Sequence, residues 1–103
     1  MDPHYDLPMA LDGSPKKFAM DVASGLYHIN RITLKRYSEQ EVRKIASGLE
    51  MVAKKLRATA VESGDYMALK DKGLKSQRVQ GALQTIRAYL REIEKQAKKP
   101  RLT

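Results

Sequence analysis

The chain contains no cysteine and no tryptophan, and only one phenylalanine among its 103 residues. Without cysteine, a disulfide framework, a thiolate zinc site and a cysteine nucleophile are all excluded. The absence also agrees with a reducing compartment. With so few large rings the core has to be aliphatic, which suits packed helices better than a β-sandwich. No apolar run approaches the ~20 residues of a membrane span, and residues 1–17 lack the basic start and apolar run of a signal peptide. A cytoplasmic protein with no membrane partner is expected. Gly-rich phosphate loops and metal-spaced histidines or carboxylates are missing too, so neither cofactor nor metal is expected.

Negative charge is scarce in one region above all. The net charge is +8, and residues 1–74 carry twelve basic groups against ten acidic ones. Residues 75–101 carry eight basic groups against Glu92 and Glu94, so six of the eight excess charges lie there. Such a concentration is the footprint of a surface that meets a polyanion, or else of a solubilising helix face.

The same region has the strongest periodicity. Val79, Leu83, Ile86, Leu90, Ile93 and Ala97 follow at spacings of four and three, the stripe of an amphipathic helix over residues 74–99. Gln77, Gln80, Gln84, Arg87 and Arg91 form a second stripe, within an arc of ~80° at 100° per residue and away from the apolar one.

A matching helix precedes it. Ser38 and Glu41 make a capping box, followed by Val42, Ile45, Leu49, Val52 and Leu56, with Ala46, Ala53 and Ala60 beside the seam. Glu50 stands one turn before Lys54 as a favourable pair. This helix is expected to end near Glu62, at Ser63-Gly64-Asp65. Two helices of matched period joined by about a dozen residues predict an antiparallel hairpin. A chain of this length cannot cover both seams alone, so a homo-oligomer is expected.

Towards the N-terminus, residues 1–13 read as a flexible arm and Ser14-Pro15 as a helix start, with Ser as N-cap and Pro at the first helical position. Phe18, Val22, Leu26 and Ile29 recur at helical spacing, and Gly25 weakens the pattern. Ile29 to Tyr37 is ambiguous: Ile32, Leu34 and Arg36 alternate as a strand would, and the reading favoured is a helix fraying near Ile32 before a short extended connector. Ribbon–helix–helix proteins open with such a strand, but here the next helix runs on without their tight turn. The domain is taken as residues 14–99, with 100–103 as a basic tail.

Between the long helices, residues 65–83 resemble a helix-turn-helix unit over about twenty residues. Met67, Ala68 and Leu69 fall in a short first helix, Gly73 supplies the turn, Leu74 tucks beneath it, and Val79, Ala82 and Leu83 face inward from the second. The resemblance implies that Lys75, Ser76, Gln77, Arg78 and Gln80 enter the major groove of duplex DNA, where Arg pairs with guanine and Gln with adenine. Lys72 departs from the pattern, standing where such units bury an apolar side chain. The other reading of this stretch is an inter-helix loop, with Gly64 ending one helix and Gly73-Leu74 leading into the next.

Catalysis finds little support. Ser14 to Lys17 matches Ser-x-x-Lys without the other elements of a serine acylase. His4, Tyr5 and Asp6 have no second histidine nearby, His28 sits among apolar neighbours, and the tyrosines make no ladder for stacking bases. The expectation is a non-enzymatic all-α protein built on a helical hairpin and dimeric. Its DNA-binding residues are expected to be Lys75, Gln77, Arg78, Gln80, Gln84, Arg87 and Arg91. The alternative is a protein-interaction module, an adaptor, secretion chaperone or assembly subunit, whose seam receives a partner helix.

Overall fold

The computed structural model describes residues 14–98 as four helices, with no strand among the described residues. Helix α1 spans Pro15–Ala23, begun by Ser14, whose hydroxyl accepts the Lys16 N–H at 3.2 Å. Phe18, Ala19, Val22 and Ala23 are its buried face. The helix stops earlier than its apolar spacing predicts. Gly25 takes a left-handed φ of +85°, and the N–H groups of Gly25 and Leu26 turn back to the carbonyls of Val22 and Asp21. Two carbonyls that a helix end leaves unpaired are thereby satisfied, and glycine adopts this backbone without steric penalty. Leu26 is left exposed.

Ile29 to Tyr37 is neither the fraying helix nor the extended connector expected. A second short helix, α2, spans Arg31–Leu34. Asn30 caps it: its side chain accepts the Thr33 N–H at 2.9 Å, while the Thr33 hydroxyl accepts the Asn30 N–H at 3.0 Å. Ile32 and Leu34 share a face in a strand, but here Leu34 is fully buried and Ile32 is 75 % exposed, as a helical turn requires.

Helix α3, Glu39–Ala58, starts from the expected capping box, with Ser38 N–H to Glu41 and Glu41 N–H to Ser38 at 2.9 and 3.1 Å. Its end falls four residues before Glu62. Thr59 is extended, donates its hydroxyl to the Lys55 carbonyl, and its own carbonyl accepts the Lys72 ammonium at 2.8 Å. Two β-branched residues, Thr59 and Val61, follow the last helical turn, where Ala58 ends the run of good helix formers.

Helix α4 is one unbroken element, Tyr66–Lys98, of 33 residues and about 50 Å. It begins at Asp65, whose carboxylate accepts the Ala68 N–H at 3.0 Å, just after Gly64 at φ +89°. Pairs between α3 and α4 fall at 43 with 94, 50 with 87 and 59 with 72, so position rises along one helix as it falls along the other.

The core is closed within one chain. Val42, Ile45, Leu49 and Val52 of α3 meet Val79, Leu83 and Ile86 of α4, all at most 5 % exposed. Leu56, Leu90 and Ile93 are only half-buried, and Ala60 and Ala97 are exposed. Helix α1 seals the same core, with Phe18 stacked on Tyr27 at 5.2 Å and edge-on to Tyr37 at 6.3 Å. It lies so close to α3 that a Cβ on Gly48 meets the Pro15 carbonyl oxygen at 2.5 Å. Gly48 is what lets these two backbones touch.

Candidate nucleic-acid interface

The turn expected at Gly73 does not exist. Gly73 lies inside α4, and the only positive-φ glycines among the described residues are Gly25 and Gly64. The helix-turn-helix reading fails on this point, and so does the loop placed over residues 65–74. Leu74, expected beneath the turn, is 40 % exposed, and Lys72 reaches across to the carbonyl of Thr59. Asp65 as a cap, with good helix formers from Met67 to Lys72, outweighs a glycine in mid-helix, which costs only about 1 kcal/mol.

Two residues expected to touch DNA are thereby turned elsewhere. Lys75 is half-buried and paired with Asp71 at 2.9 Å. Arg78 bends towards α1, donating to the Ala23 carbonyl at 3.1 Å. The remaining five, Gln77, Gln80, Gln84, Arg87 and Arg91, are all exposed along one side of α4. Because the helix runs unbroken, Lys70 and Lys95 join them, and the seven fall within an arc of about 100°. With the helix continuous through Gly73, Lys70 falls on the same side as Gln77 at 100° per residue.

The acidic groups of α4 are tied down off this arc. Asp71 pairs with Lys75, Glu92 with Arg31, and Glu94 with Arg43 at 3.5 Å. Among the described residues Glu50 is the carboxylate paired with this face; expected as the partner of Lys54, it instead lies 3.9 Å from Arg87. Both side chains are more than half exposed, so the pair is weak and easily exchanged for another partner. A groove of about 550 Å³ runs beside it, lined by Gln80, Leu83 and Arg87 from α4 and by Lys54 and Arg57 from α3. Lys54 and Arg57 extend the basic surface across the groove, and no ion pair engages either among the described residues. No spacing pointed to them, because it does not tell which flank of α4 meets α3.

The seam expected to receive a partner helix is occupied by the chain itself. Leu49, Val52 and Leu83 are at most 5 % exposed. The exposed apolar groups lie elsewhere, notably Tyr66, Met67, Leu69 and Leu74 at the start of α4.

The Ser14 hydroxyl serves as a helix cap, and no group of histidine, aspartate or glutamate side chains suited to a metal ion occurs among the described residues. The tripeptide His4-Tyr5-Asp6 and the basic tail lie outside them. No helix among the described residues is long and apolar enough to cross a membrane. Compared with protein-family models, with curated proteins and with solved structures, the chain shows no match.

Proposed function

We propose that this protein is a small, non-enzymatic regulatory or accessory protein that binds duplex DNA through the outer face of α4. Contact falls to Lys70, Gln77, Gln80, Gln84, Arg87, Arg91 and Lys95, with Lys54 and Arg57 reaching the same phosphates across the groove. The observation that carries the reading is the segregation of charge on α4: its three paired acids lie off the basic, amide-bearing arc. The major groove admits an α-helix, and the amides and guanidinium groups match base edges and phosphates. An antiparallel α3–α4 pair stiffens the reading helix. In this reading two copies associate through Tyr66, Met67, Leu69 and Leu74 and not through the seam.

Fluorescence anisotropy with a labelled duplex at two salt concentrations tests it. Affinity is expected to fall with salt at a log–log slope near −0.9 per phosphate neutralised. Replacing Arg87 and Arg91 by Ala should flatten that slope by up to about two units without unfolding the protein. Failure of the wild-type protein to bind at low salt defeats the proposal. The exposed apolar start of α4 favours the second reading, a protein-interaction module. That reading gains if the duplex is not bound while Leu69→Asp abolishes self-association in sedimentation equilibrium.

A further inference from the structure

A second cleft lies on the opposite flank of α4, where the α1–α2 connection crosses it. It measures about 530 Å³, within the ~300–1,000 Å³ of small-molecule sites. Its floor is apolar, from Val22, Ile29 and Ala82, with Gly81 leaving room at the helix surface. Its polar groups include His28, Asn30, Arg31, Gln77 and Arg78, and no lining residue is a carboxylate among the described residues.

Arg78 is the distinctive member. Its guanidinium is held by the Ala23 carbonyl at 3.1 Å, and lies so close over Gly25 that a Cβ there would meet it at 3.1 Å. A carbonyl fixes the side chain without neutralising it, and no carboxylate pairs with it among the described residues. Arg31, from the facing element, is held by Glu92. A positioned, uncompensated guanidinium at the rim of an apolar floor suits an anion with a flat apolar body, since its planar fork matches phosphate and carboxylate oxygens.

We propose that this cleft binds a small organic anion of about nucleoside-monophosphate size, its phosphate or carboxylate on Arg78 and its flat body against Val22, Ile29 and Ala82. The site is separate from the DNA-binding face and stands independently of it, although Gln77 borders both.

The test is an amide NMR titration of the full chain with AMP, with adenosine and inorganic phosphate as part-ligands. AMP should move the signals of Gly25, His28 and Gly81, and each part-ligand should bind at least about tenfold more weakly. Arg78→Gln should weaken AMP by about tenfold. Gly81→Leu should abolish binding with the fold intact, because a Cβ there meets nothing within 4 Å and leucine is the better helix former. The inference is overturned if AMP at about 10 mM leaves these signals unmoved, if Gly81→Leu binds AMP like the wild type, or if the shifts spread over residues 84–95 instead. A short duplex in competition identifies the source of the anion. Displacement of AMP from the same signals assigns the site to a nucleic-acid phosphate, and simultaneous binding assigns it to a free small molecule.

Discussion

The first nine residues of α4 and its middle belong to one unbroken helix, yet their surroundings have little in common. From Val79 to Ile86 the apolar side chains are at most 6 % exposed, locked between α1 and α3. From Tyr66 to Leu74 the large apolar side chains range from 40 to 79 % exposed where the element outruns α3, which ends at Ala58. The middle is helical because packing rewards it. The start is helical because its N-terminus is capped at Asp65, Lys72 is tied to Thr59, and continuation adds one hydrogen bond per residue once a helix is nucleated. The same backbone thus serves as core in one place and as presented surface in another.

Substitutions separate the two regions sharply. Leu83→Asp should destabilise by about 3–5 kcal/mol in chemical denaturation, since it leaves an unpaired charge where 2 % of the side chain is exposed. Leu69→Asp, in the overhang, should stay within about 0.5 kcal/mol of the wild type at a concentration low enough to keep both proteins monomeric. If the two cost the same, the overhang is packed and the contrast is lost.

Glycines sharpen it further. Gly48→Ala should lower stability by about 1–3 kcal/mol despite the better helix propensity, because the new methyl meets backbone of α1 that cannot move aside cheaply. Gly73→Ala should raise stability by roughly 0.5–1 kcal/mol, since the position is helical and open. Loss of stability in Gly73→Ala would restore a turn at that position, as alanine resists the positive φ such a turn needs.

A pH-dependent effect concerns Tyr37. Burial, then the charge of Glu41 and the neighbouring Tyr27, push its hydroxyl up to about 12, against a lesser opposing influence from Arg36. The folded state therefore prefers the neutral phenol. Its contribution is complete below the unfolded value near 10 and is lost as pH rises from there through about 12. Thermal unfolding of the wild type should fall more steeply over that window than that of Tyr37→Phe, and the two curves should run parallel below pH 9.

Much of the helical framework was legible. The capping box at Ser38 and the N-cap at Ser14 are local chemistry, and the three-four spacing of Val42 to Val52 and of Val79 to Ile86 marks faces that are indeed buried. Two of the misreadings share a cause. Gly25 and Gly73 are the same residue type in similar apolar patterns; one terminates a helix and the other is passed through. The difference lies in partners several residues away: the carbonyls of Val22 and Asp21 receive the turned-back N–H groups of Gly25 and Leu26, whereas Asp65 caps and Lys72 ties down the turns that lead into Gly73. At Asn30 the signal was present, an N-cap followed by Thr33, but strand-like alternation masked it.

For the candidate interface, the stripe from Gln77 to Arg91 is a consequence of helical period alone and was visible in the order of residues. That period could not say that Arg78 bends towards α1, that Lys54 and Arg57 stand across a groove from Gln80, or that two of the acids of α4, Glu92 and Glu94, find partners on α2 and α3. Those facts depend on which flank each neighbouring helix occupies, and that is set by Gly48 letting α1 close on α3 and by the three-helix core around Leu49 and Leu83. Local propensity and period act within a few residues along the chain and so are written in the sequence; the choice of flank is a packing solution among residues up to 61 positions apart, and only the assembled core makes it.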